Sequence, residues 1–253
     1  MRFAPIIPTN GLRVLERVGI GYHFTLGQEL LRDKEYSRYY GALGRLGHFI
    51  IVDNGAAERD VPPFEKVVRM ALRIHASEII MPDVLADREA TVAALTQEAL
   101  DLVPAKMRMI VPQGEDELDW FVCLEQLLRK THYSIGSIGI PKHMEARVVG
   151  GRAQILRRMK NEMGPLLNHR HVHLLGVHHD PFKEISEAAA VCDVRGIDSG
   201  MPIAWAQRYR TLAPETEMPP MEDRISLAWG APFELDLGRQ NVWALARYAS
   251  EYA

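Results

Sequence analysis

Cysteine is nearly missing from this chain. Cys123 and Cys192 are the only two in 253 residues, too few for a disulfide framework or a Cys-rich zinc site. Both fall in apolar helical surroundings, where a thiol behaves as a small buried hydrophobe. No run approaches the ~18 apolar residues of a membrane span. The opening Met1-Arg2-Phe3-Ala4-Pro5 has no apolar signal-peptide core, so the expectation is a soluble, cytoplasmic protein with no membrane partner. Neither charge dominates: Lys and Arg number 30 against 33 Asp and Glu, a formal net charge of −3. That excludes a wholly basic nucleic-acid coat but leaves room for a local basic patch. Internal repeats, low-complexity segments and domain boundaries are absent, as is a Gly-rich dinucleotide loop after the first strand.

What the chain does have is alternation. Strand-like runs fall near Arg2–Pro8, Val18–Phe24, His48–Asp53, Ser77–Pro82, Lys106–Pro112, His132–Gly139, His171–Val177 and Val194–Asp198. Amphipathic segments separate them. Phe64, Val67, Val68, Ala71, Leu72 and His75 share the spacing of one helix face. A second helix is expected from Asp87 to about Leu102, closed by Pro104. Thr211–Asp223 is a loop, and Leu235–Tyr252 reads as a terminal helix. Eight strands with intervening helices, at 47% hydrophobic composition, predict a single-domain (β/α)8 TIM barrel. An open doubly wound sheet is the alternative.

Chemistry in such a barrel sits where the strands end. The third run ends in Asp53-Asn54-Gly55, the fourth in Pro82-Asp83-Val84 and the fifth in Pro112-Gln113-Gly114. The sixth contains Ile135-Gly136-Ser137, the seventh ends in Leu175-Gly176-Val177, and the eighth in Asp198. Each member has a plain structural explanation, since Asp and Asn cap helices and Gly makes tight turns. Together they place three carboxylates and an amide on one mouth. A carboxylate pair suits glycosyl transfer, one group attacking the anomeric carbon while the other moves the leaving group's proton. A carboxylate and an amide beside backbone N–H groups match the edge of a guanine-like base. Three carboxylates also suit Mg²⁺, with a phosphate-bearing substrate.

In order along the chain, these residues resemble the tRNA-guanine transglycosylase superfamily, and more closely its small relatives that place 7-deazaguanine bases in DNA. Tyr22-His23-Phe24 resembles that family's Asn-Thr-Tyr-His-Leu strand end, and Asp53-Asn54-Gly55-Ala56 its Asp-Ser-Gly-Gly. Gln113-Gly114 matches its Gln-Gly. Tyr133-Ser134-Ile135-Gly136-Ser137 is similar to Tyr-Ala-Ile-Gly-Gly, and His173-Leu174-Leu175-Gly176-Val177 to Tyr-Leu-Met-Gly-Val. Arg195-Gly196-Ile197-Asp198, four residues before Pro202, resembles the nucleophile segment, with Gly-Ile-Asp standing for Gly-Ile-Asp-Met-Phe-Asp. The resemblance spans about Pro5 to Ala206. The zinc subdomain of the tRNA enzymes and the Arg-rich stretch after their nucleophile are missing, which favours DNA over tRNA.

The resemblance implies Asp198 as nucleophile and Asp53 as general acid/base. It implies that Asp83, Gln113, Gly114, Gly136, Ser137, Leu175, Gly176 and Tyr22 bind the base. No cofactor is implied, because one glycosidic bond replaces another, and the partners are a 7-deazaguanine base and a nucleic acid.

Arg147, Arg152, Arg157, Arg158 and Lys160 form a basic stretch that is either a solvated face or a phosphate contact. His169, His171, His173, His178 and His179 with Asp180 offer an alternative, a metal-dependent barrel hydrolase, although His171 and His173 lie at the start of their strand. A non-catalytic relative that binds a deazapurine or nucleic acid is the third reading. Among Trp120, Trp205, Trp229 and Trp243, core packing is the expected role, with Trp205 nearest the nucleophile turn.

Overall fold

A computed structural model describes residues 1–57, 61–167, 170–219 and 227–252. Its centre is an eight-stranded parallel sheet, with neighbours in the order β1-β8-β7-β6-β5-β4-β3-β2. The strands are β1 Arg2–Pro5, β2 Tyr22–Leu26, β3 Phe49–Asp53, β4 Glu78–Ile80, β5 Arg108–Ile110, β6 Ser137–Pro141, β7 His171–Leu175 and β8 Gly196–Ser199. The two end strands, β1 and β2, lie side by side, so the sheet curls into a nearly closed (β/α)8 barrel. The described α-helices are α1 Gly27–Arg32, α2 Lys34–Arg45, α3 Phe64–Arg73, α4 Arg88–Ala94, α5 Gln97–Leu102, α6 Glu117–Lys130, α7 Met144–Arg147, α8 Gly151–Leu167, α9 Pro181–Ala189, α10 Met201–Ala206 and α11 Leu235–Ser250.

Side-chain alternation sorts each strand between two cores. In β3, Ile50 and Val52 pack outward with the helices. Ile51 turns inward to join Ala4, Tyr22, Phe24, Leu26, Ile80, Met109 and Val111 in the bore. At ~25 cal/mol per Å² of apolar surface, these two continuous cores dominate the stability of the fold.

Several expected boundaries move, each for a local reason. The first strand stops at Pro5 and is followed by a 3-10 helix over Thr9–Arg17. The expected helix after Asp87 is two, because Thr96 accepts from the Ala99 amide and caps a new start. On α3 the buried side chains are Val67, Val68 and Ala71, continued by Ile74, while Leu72 and His75 face solvent. The largest shift is at β6. His132 and Tyr133 adopt left-handed φ values of 49° and 58°, a turn conformation that strands exclude, so β6 starts only at Ser137. In the loop expected over Thr211–Asp223, residues 211–219 carry no helix or strand, and 220–223 lie outside the described residues. No described helix is long and apolar enough to cross a membrane.

Candidate functional site

The carboxyl ends of the strands bring one polar group to a mouth of the barrel, and a second runs from Asp198 through the bore toward the opposite end. The first spans β3 to β5. Asp53 closes β3, half-buried, on the inward-facing alternation of Ile51. Asn54 donates from Nδ2 to the Met81 carbonyl at 2.7 Å and to Asp83 Oδ1 at 2.6 Å. Gln113 Nε2 donates to Asp83 Oδ2 at 2.5 Å. Neither amide is free to turn over, because Asn54 Oδ1 accepts from the Ala56 amide and Gln113 Oε1 from the Ala86 amide. Asp83 therefore has an oriented donor on each oxygen. Burial nevertheless raises its pKa to about 6, outweighing the two hydrogen bonds, which pull it down. A purine edge offering two N–H groups meets acceptor capacity here, since each carboxylate oxygen has a second lone pair.

The second group starts on β7 and β8 and extends to β2 and β4. Asp198 is 2% exposed and sits opposite Ala4 in the β1–β8 ladder. Its Oδ1 is 3.0 Å from His173 Nε2. His173 Nδ1 is 2.9 Å from the Tyr22 hydroxyl, which receives Arg195 Nε–H at 3.2 Å. Arg195 closes the series on Glu78, with Nη1 to Oε1 at 2.6 Å and Nη2 to Oε2. Burial lowers the His173 pKa and raises that of Tyr22, so the imidazole tends to neutrality and the phenol keeps its proton.

A pocket of about 370 Å³ opens at this mouth, lined among others by Leu26, Lys142, Gly176, Ser199, Gly200 and Trp229. It stands over the β8, β1, β2, β6 and β7 ends, and neither Asp198 nor the Asp53–Asp83 arc belongs to its lining. Its size falls at the small end of ligand sites. Gly176 holds φ +67°, and a Cβ there would lie 3.0 Å from the Lys142 side chain. A larger pocket, about 620 Å³, opens at the opposite end beside Glu78, Gly136, His171 and Arg195. That end serves stability in this fold, so size does not make it the chemical site.

The structure redistributes several expected site residues. Asp53, Asp83, Gln113, Gly114, Leu175, Gly176 and Asp198 stand at or near the carboxyl ends. Gly136 and Ser137 do not: with β6 starting at Ser137, Gly136 lines the opposite pocket and Ser137 is fully buried beside it. Tyr22, first residue of β2 and 3% exposed, also lies away from the mouth and reaches Asp198 only through His173.

Among the basic residues, Arg152 is no phosphate contact. It is 1% exposed, paired with Glu184, and donates to the Ile140 and Leu175 carbonyls. Glu184 also accepts from the His178 and His179 amides, which ties the segment after β7 to α8. Arg147 is exposed and bonds the Gly114 carbonyl at 3.1 Å. Arg158 lies over the Phe121 ring and bonds Glu162, and Lys160 bonds the Val191 carbonyl. Arg157 is exposed.

Among the described residues no three His, Cys, Asp or Glu side chains converge to hold a metal. His171 lines the far pocket and His173 is committed to Tyr22 and Asp198, while His169 lies outside the described residues. Sequence reading missed three participants: His173 as the partner of Asp198, the Glu78–Arg195 pair, and Trp229, 38% exposed in the mouth pocket. Trp205 is buried at 3%. Glu78 had a readable signal, a carboxylate inside an apolar strand run, which demands a buried partner.

A comparison with models of known protein families finds no match, and a comparison with curated proteins finds none either.

Proposed function

We propose that this protein is a base-exchange transglycosylase that replaces guanine in nucleic acid, DNA in preference to tRNA, by a 7-deazaguanine derivative. The observation that carries the reading is Asp83, whose two oxygens are fronted by oriented amides of Asn54 and Gln113. The resemblance of the strand-end motifs to the guanine transglycosylases supplies the reaction. Asp83 accepts the ring N–H and exocyclic amine of a guanine flipped out of its stack or already single-stranded. The second amide hydrogen of Gln113 is directed to the carbonyl oxygen.

Asp198 attacks C1′, forming an aspartyl-glycosyl ester as the bond to guanine breaks, and Asp53 supplies the proton that the departing base takes. Asp53 then removes the corresponding proton from the incoming 7-deazaguanine. The base attacks C1′, and Asp198 leaves as carboxylate. Two inversions retain configuration. At 2% exposure Asp198 meets only a sugar that enters the bore; Ser199 and Gly200, which follow it in the chain, line the pocket at this mouth. One glycosidic bond replaces another, so the exchange needs neither a cofactor nor ATP.

The test is incubation with labelled 7-deazaguanine and either DNA or tRNA, followed by nucleoside analysis. Label should enter DNA, and Asp198→Asn and Asp53→Asn should each abolish incorporation. Label in neither polymer, or activity that tracks copurified zinc, overturns the reading.

A further inference from the structure

We propose that His173 is a positioning residue for Asp198, held in its Nε2–H tautomer by a one-way chain of hydrogen bonds from the Glu78–Arg195 ion pair through Tyr22. This rests on Asp198 being the reacting carboxylate. The direction follows from the chemistry of each member. A guanidinium has only donors, so the Tyr22 oxygen accepts from Arg195 Nε. The phenol has one proton of its own, and the acceptor beside it is His173 Nδ1 at 2.9 Å. Nδ1 is thereby the accepting nitrogen, and the ring proton resides on Nε2, 3.0 Å from Asp198 Oδ1. A carboxylate accepts only, so every proton in the series is used once. The opposite tautomer, or an imidazolium, would turn an N–H toward Tyr22 and strand the phenol proton in a closed interior, where an unmet donor is costly.

The packing is built around this series. A Cβ at Gly196 would lie 2.5 Å from the Tyr22 ring, so glycine on β8 is what admits that ring beside it. Tyr22 stacks on Phe49 at 5.2 Å, and Phe24 lies parallel to the imidazole at 6.2 Å. Among the described residues, the charged or titratable groups acting on His173 are Tyr22 from β2, Glu78 from β4, Arg195 just before β8 and Asp198 on β8. His171 lies two residues back on its own strand, toward the far pocket. The consequence is a carboxylate whose Oδ1 is fixed by the imidazole N–H, leaving Oδ2 as the oxygen that the proposed attack on C1′ would use.

Two measurements test this. The first, ¹⁵N NMR of histidine-labelled protein, should report His173 as a neutral ring protonated at Nε2 near pH 7, with Tyr22→Phe shifting or mixing the tautomer. The second is base exchange. His173→Leu should lower kcat on the order of 10²-fold with little change in KM. His173→Gln, whose amide offers an acceptor and a donor at similar spacing, should recover activity to within about tenfold of the parent. An Nδ1–H ring or an imidazolium at pH 7, or a folded His173→Leu protein with the parent kcat, overturns the proposal. If the parent shows the Nε2–H signature yet exchanges no base into any polymer, the functional reading fails and the tautomer assignment stands.

Discussion

Replacing Asp83 by Asn separates the cost of a buried charge from its use. Burial lifts the Asp83 pKa from 3.8 to about 6. Between those values the folded protein holds a proton that the unfolded chain has released, so stability falls as pH rises through that window and is flat above it. A shift of two units corresponds to on the order of 2–3 kcal/mol, with the lower figure favoured because one edge of the residue reaches solvent. The amide that replaces the carboxyl group does not titrate. The Tm of the variant minus that of the parent should therefore climb between pH 4 and pH 7 by about 5–10 °C, at ~2–4 °C per kcal/mol for a chain of this size. A constant offset is also expected, since one N–H of the new amide must face an oriented donor of Asn54 or Gln113, at ~1–3 kcal/mol. Only the pH-dependent part reports the charge, and scanning calorimetry at matched ionic strength reads it. In exchange assays the same variant loses two charge-assisted contacts to the base at ~1.5–3 kcal/mol each, a fall in kcat/KM of roughly 10²–10⁴-fold. The parent's kcat/KM should itself fall as pH drops through 6. A Tm difference that is flat from pH 4 to 7, or an Asp83→Asn protein that exchanges base within threefold of the parent, refutes the reasoning.

Arg195→Met leaves Glu78, 3% exposed, without its guanidinium. It should cost ~3–5 kcal/mol in urea unfolding, and adding Glu78→Leu should return most of that. On α8, Arg157→Ala should leave Tm unchanged and reduce the salt slope of DNA binding by ~0.7–0.9. Arg152→Met should instead lower Tm sharply, because Glu184 stays buried and unpaired. Equal effects of the two on the salt slope would contradict this division. Trp229→Ala should weaken single-stranded DNA binding by ~1–3 kcal/mol if a base stacks on the indole, as measured by fluorescence titration, and unchanged affinity would remove Trp229 from the interface.

Strand number and the barrel class were legible because inward and outward positions alternate regularly, and the same runs placed Asp53 at the end of β3 and Asp198 within β8. The start of β6 was not legible. Ile135-Gly136-Ser137 has strand-like composition, and only the left-handed backbone at His132 and Tyr133 delays the ladder, which moves two expected base contacts to the wrong end of the barrel. The basic stretch misled in a different way. Arg152 reads like its neighbours, but Glu184, thirty-two residues later, draws it inside. His173 was paired with His171 by spacing, yet its actual partners are Tyr22 and Asp198, 151 and 25 residues away. Contacts of that range leave no mark in a local pattern.

Asp198 can be interrogated directly by acid-quenching the protein with a guanine-containing single-stranded DNA, in the absence of free base, and mapping adducts by peptide mass spectrometry. A glycosyl ester should appear on the peptide bearing Asp198, disappear on addition of 7-deazaguanine, and never form with Asp198→Asn. Brisk exchange with no adduct on that peptide, or an adduct carried by Asp53, would contradict the assignment.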